Sequence, residues 1–187
     1  MITAYLRIAP NVDQRLIPKV NAKIKMAMAD SNQLRKLVAY DQWANDKVLA
    51  AIDGMMAEEL VRSVDAYFGT IAGNLHHVLW ATRIWLARWK GETPPGRTDP
   101  IKGSWREAYA ETHADFRAFV EPLTDASADR VVAYKDTKGN PYEMVLAHLI
   151  THVVNHGTHH RAETGMLLER IGRSPGDMDY VYYCLGR

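Results

Sequence analysis

Apolar side chains recur along most of this chain at mixed steps of three and four, the signature of helices that each bury one stripe. The first run holds Leu34, Leu37, Val38, Ala44, Val48 and Ile52, preceded by Asp30 and Ser31 as candidate N-caps and closed by Gly54. A second run, IAGNLHHVLWATRIWLARWK from Ile71 to Lys90, is apolar almost all the way round, as a helix covered on several sides should be. Leu75, Val78, Leu79, Trp85 and Leu86 form one of its faces and Gly73, His77, Ala81 and Ile84 another, with His76 between them. Periodicity does not choose which of the two histidines looks inward.

A stretch rich in proline and glycine, from Gly91 to Pro100, separates this helix from a third. There Ser104 serves as cap, and Trp105, Ala108, Thr112, Phe116 and Phe119 make the inner face before Pro122 ends the pattern. Val131 to Tyr134, then Lys138-Gly139-Asn140-Pro141, predict a short hairpin-like excursion with its turn at Lys138-Gly139. The last helix carries Leu149, Val153, Met166, Leu167 and Ile171 and stops at Gly172 and Pro175. The expected fold class is therefore all-α. It is a four-helix bundle with helices near 31–53, 70–90, 104–120 and 141–171, joined by short loops that favour antiparallel neighbours. The tail with Tyr180, Tyr182 and Tyr183 is expected to pack back over the bundle.

Composition narrows the class. A chain of 187 residues with 47% hydrophobic and 24% charged residues is an ordinary globular domain. The formal net charge of +1 argues against nucleic acid as a partner, and no uncharged apolar run would span a bilayer. Cys184 is the only cysteine, which excludes an intramolecular disulfide and a cysteine-based zinc site and fits a cytoplasmic location. Residues 1–30 read differently: basic, acid-poor and broken by Pro10 and Pro18, they suggest a loosely attached extension, with Met26 or Met28 as an alternative start. The domain proper is expected over 31–187. The surplus of apolar positions on the second helix suggests a homodimer.

The last helix also carries the candidate chemistry. His148, His152, His156 and His160 follow one another at steps of four, with His159 beside the last. On a helix such neighbours lie about 5–6 Å apart at Cβ, close enough for two imidazoles to hold one ion. His152 and His160, two turns apart, are roughly 12 Å apart along the axis and cannot share it. The helix therefore offers one adjacent pair, and a third ligand must come from elsewhere. Glu163 shares the face of His156 and His160 and could orient a ligand or act as a base. A ferritin-type di-iron centre fits poorly, because it needs paired Glu-x-x-His motifs and the chain has none.

The segments YDQWAND (40–46), HVLWATRIWLAR (77–88), GNPYEM (139–144), HVVNHGTHHR (152–161) and the closing GRSPGDMDYVYYCL resemble the DinB family, the DinB/YfiT-like metalloenzymes. The likeness covers roughly Leu34 to Leu185. It implies a three-histidine site for a divalent metal ion (zinc, nickel or iron) on His77, His156 and His160. It also implies either a metal-dependent hydrolase or a small-thiol S-transferase, with a small molecule, such as a low-molecular-weight thiol, as partner. A non-catalytic, damage-inducible, dimeric metal-binding protein with a vestigial site is the alternative. Two positions depart from the family pattern: Arg161-Ala162-Glu163 stands for Arg-Gly-Gln, and Thr82 for an acidic residue.

Overall fold

The computed structural model describes residues 29–63 and 68–186. The expected extension at 1–30 lies almost wholly outside them. Four long helices dominate: α1 (Ser31–Ala51), α3 (Ile71–Lys90), α4 (Trp105–Val120) and α6 (Leu146–Glu169). Three short ones, α2 (Ala57–Leu60), α5 (Asp125–Ala128) and α7 (Tyr180–Cys184), fill connections and the tail. Among the described residues no helix is long and apolar enough to cross a membrane.

Local sequence explains where the long helices begin and end. Asp30 caps α1 by accepting from the backbone N–H groups of Asn32 and Gln33, both at 3.0 Å. Thr70 caps α3 through Gly73 N–H at 2.8 Å. Ser104 and Glu107 form a reciprocal capping box at the start of α4. Gly91 ends α3 at φ +73°, a left-handed position that costs glycine little.

The four helices close a ring in which α1 touches α4 and α6, and α3 touches the same two. Cross-helix bonds fix the directions. Tyr109 donates to the Leu75 carbonyl, Arg83 to Thr112 and Lys90 to Asp115, so α3 and α4 run parallel. Asn45 meets His113 while Arg106 pairs with Asp53, so α1 and α4 are antiparallel. The bundle is thus up, down, down, up. The expectation that sequential helices are antiparallel neighbours fails: α3 and α4 are neighbours but parallel, and α1 and α3 lie across the ring from one another. The proline-rich segment after Gly91 returns alongside α3, with Trp80 donating to the Pro95 carbonyl and His76 to that of Asp99, and so carries the chain back to start α4 in the same direction.

A second correction concerns the start of the last helix. Residues 141–145 are not helical; Pro141–Val145 form β2, paired antiparallel with β1 (Val131–Lys135) in the register Val131↔Val145. Asp136 holds the turn, accepting from Lys138 N, Asn140 N and Asn140 Nδ2. Proline at an edge-strand start is tolerated because it need not donate.

Phe116, Val38, Leu146, Ile150 and Leu168 are fully enclosed in the core. Each such side chain contributes about 1.5–3 kcal/mol relative to exposure. The tail does pack back: Tyr40 Oη donates to the Met178 carbonyl at 2.9 Å, and its ring meets Tyr180 edge-on. None of the large hydrophobic side chains exposed among the described residues lies on α3.

Candidate metal centre

Antiparallel packing of α3 against α6 brings His77 opposite the adjacent pair His156 and His160. Their ring centroids are 5.0, 4.6 and 4.5 Å apart, and one nitrogen from each lies within 4.8 Å of the other two. His77 Nε2 and His156 Nε2 already approach to 2.9 Å. Nitrogens sharing a tetrahedral zinc at about 2.0–2.1 Å sit roughly 3.3 Å from one another, so small side-chain rotations would suit a divalent ion.

The outer nitrogens support this orientation. His160, 4% exposed, donates from Nδ1 to Glu163 Oε2 at 3.2 Å, which turns its Nε2 toward the cluster. Glu163 thus bears on a histidine from behind. Phe68 stacks on the His77 ring at 4.1 Å and meets His160 edge-on at 5.3 Å, covering one side of the cluster with hydrocarbon. The Trp80 ring lies 5.9 Å from that of His77.

Electrostatics keep these imidazoles neutral. Burial, reinforced by repulsion from His156 and His160, lowers the pKa of His77 to about 3. Burial, with repulsion from His160, His152 and His159, lowers that of His156 to about 4. His160 is also lowered by burial, against which the Glu163 hydrogen bond acts. Neutral imidazole is the form that donates a lone pair to a metal. The donor set, its spacing and its protonation state all fit a divalent cation.

The other histidines are placed elsewhere. His76, the alternative on α3, is turned to the Asp99 carbonyl at 3.2 Å. His148 is exposed. His152 stacks on His156 at 5.8 Å and makes an edge contact with Trp85 at 5.5 Å. His159 is exposed beside His160.

Behind the cluster lies a buried polar network that the apolar stripes did not disclose. Arg161, next after His160, pairs with Asp41 on α1; they are 3% and 2% exposed. Asn45 ties the two together, accepting from Arg161 Nη1 at 3.2 Å and donating to Asp41 at 3.1 Å and to His113 Nε2 at 2.9 Å. Arg161 also donates to Thr158 Oγ1 at 2.9 Å. The network pins the turn of α6 that carries His156 and His160 to α1 and α4. It further requires Gly157: a Cβ there would lie 2.7 Å from both Arg161 Nη1 and Asp41 Oδ1. The signal was present in the sequence, since Asp41 and Asn45 continue the 3–4 spacing of Leu34, Val38, Val48 and Ile52.

A protein from Bacillus subtilis (strain 168), described as Protein DinB, is 24% identical over 161 residues, which cover 79% of this chain and 91% of that protein. The model of the DinB family matches residues 28–185 and so takes in all four long helices, the hairpin and the three clustered histidines. By that match the chain belongs to the DinB family.

Proposed function

We propose that this protein is a metal-dependent enzyme acting on small molecules, with His77, His156 and His160 as the ligands of one divalent ion. The observation that carries the reading is the meeting of three neutral imidazole nitrogens within 4.8 Å, drawn from two helices. Three protein ligands leave a coordination position for water or substrate, as catalytic rather than structural sites do. Zinc, nickel or iron would each accept this donor set. An ion held there supplies Lewis acidity, which favours the deprotonated form of a water or a small thiol at neutral pH.

The remaining tasks fall to the chain itself. Glu163 fixes the tautomer of His160 and, being partly exposed, can take a proton from a group arriving beside it. Phe68 and Trp80 limit water at the cluster. The Asp41–Arg161 pair holds the turn between His156 and His160 in place. Hydrolysis of a small ester or amide and transfer of a small thiol to an electrophile both fit these parts.

Metal analysis of the purified protein tests the reading. Wild type should hold about one equivalent, and His77→Ala, His156→Ala and His160→Ala should each lose it. His148→Ala and His152→Ala should retain it. Equal metal content in wild type and His156→Ala rules the assignment out. Metal-loaded protein that turns over neither a panel of activated esters nor a thiol with a haloarene acceptor would favour the non-catalytic alternative.

A further inference from the structure

Five arginines among the described residues are partly or fully buried, and four have polar partners. Arg35 donates to the carbonyls of Glu121 and Leu123, Arg83 to Thr112 and Glu111, Arg161 to Asp41, and Arg173 to the Asp53 carbonyl. Arg88 alone makes no hydrogen bond or ion pair with any described residue. Its guanidinium lies over the Trp85 ring at 4.6 Å and faces the Tyr134 ring at 5.6 Å. Burial lowers its pKa from the usual arginine value, yet a guanidinium remains charged at any physiological pH. The acidic group that acts on it is Asp136, whose carboxylate is engaged by its own turn.

A half-buried cation held over an aromatic surface, with its five donors unclaimed, is an arrangement that recognises planar or tetrahedral anions. Its position gives it a task. Arg88 follows His77 by eleven residues, which brings it to within about 20° of the same face of α3. A continuous row of rings connects the two ends: His156 stacks on His152 at 5.8 Å, His152 meets Trp85 at 5.5 Å, and Trp85 underlies Arg88. At about 1.5 Å rise per residue the two ends lie about 16 Å apart along α3, the length of four or five extended residues.

From this geometry we infer that Arg88, seated on Trp85 and Tyr134, is an anion-recognition subsite. It takes a carboxylate or phosphate at the far end of an elongated substrate whose reacting group sits at the histidine cluster. The chemistry at the near end rests on the metal-centred reading above; the subsite rests on Arg88 itself.

The test is calorimetric titration of the full-length protein with glutarate and, separately, with inorganic phosphate, with metal content measured on the same samples. Saturable binding of one equivalent is expected in at least one arm, and the stronger arm identifies the anion. Arg88→Met should weaken it tenfold or more while keeping its metal, and Arg97→Ala, at an exposed arginine near Trp80, should bind as wild type. Should Arg88→Met lose helix content, Arg88→Lys decides: it keeps the charge without the planar fork and should bind several-fold more weakly. A wild type that holds metal but saturates with neither anion overturns the subsite, as does a folded Arg88 variant with unchanged affinity. Anion binding lost with Arg88 in a protein that takes up no metal would keep the subsite and overturn the metal-centred reading instead.

Discussion

Replacing Asp41 with alanine should be among the most damaging single changes to this fold, although Asp41 touches none of the three clustered histidines. The carboxylate is 2% exposed and pairs with Arg161, itself 3% exposed. Removing one partner of such a pair leaves a desolvated charge, at a cost of about 3–5 kcal/mol. The hydroxyl of Thr158 and the amide oxygen of Asn45 remain as neutral partners, which places the expectation at the lower end, about 3 kcal/mol. Against a total stability of about 5–15 kcal/mol for a domain, that is a large fraction. In urea, with a slope of about 2 kcal/mol per M, the midpoint followed by circular dichroism should fall by about 1.5 M at unchanged slope. The companion measurement is Asp41→Ala with Arg161→Met, which removes both charges and should recover about 1–3 kcal/mol of the loss. A fall of less than about 0.5 M, or a double variant no more stable than Asp41→Ala alone, would refute the view that an orphaned guanidinium is the source of the cost.

Two further outcomes follow from the same region. Gly157→Ala, which in an ordinary helix interior gains about 1 kcal/mol, should instead lose about 1–3 kcal/mol. The new methyl would meet side-chain ends that the buried ion pair has locked together, and a raised thermal midpoint would count against this. In metal-free protein, His77 and His156 have folded pKa values of about 3 and about 4, below the unfolded value of about 6.5. Between those limits the unfolded chain binds more protons, so stability is intact above pH 6.5 and declines as pH falls from there toward 3. Urea midpoints measured from pH 7 to pH 4.5 should show this decline, and His156→Gln should flatten it; identical slopes would remove these histidines as the cause.

Much of this was written in the sequence in local terms. Helix spacing and caps are short-range properties, so α1, α3 and α4 stand within a residue or two of where their apolar stripes placed them. Spacing on α6 likewise required an adjacent histidine pair and one outside ligand. What separates His77 from His76 is not local: the returning segment offers the Asp99 carbonyl to one and α6 offers two imidazoles to the other. The parallel course of α3 and α4 depends on that same segment. At 141–145, Tyr142 and Met144 alternate with their neighbours as a strand requires, but the partner that makes it one lies ten or so residues upstream. Gly157 was least legible, because its need for a bare backbone arises from a charge pair formed between two helices far apart in the chain.

The tryptophans flanking the histidines give the protein an optical property as well as a structural one. Trp80 lies 5.9 Å from the His77 ring and Trp85 lies 5.5 Å from that of His152. An imidazole that gains a proton or a cation becomes an electron acceptor, and an excited indole beside it loses emission to that acceptor. Trp80 therefore reads the state of the cluster, while Trp85, beneath Arg88, reads the other end of the row of rings. Steady-state emission from two single-tryptophan forms would separate what arrives at each end, without a label and without knowledge of the substrate.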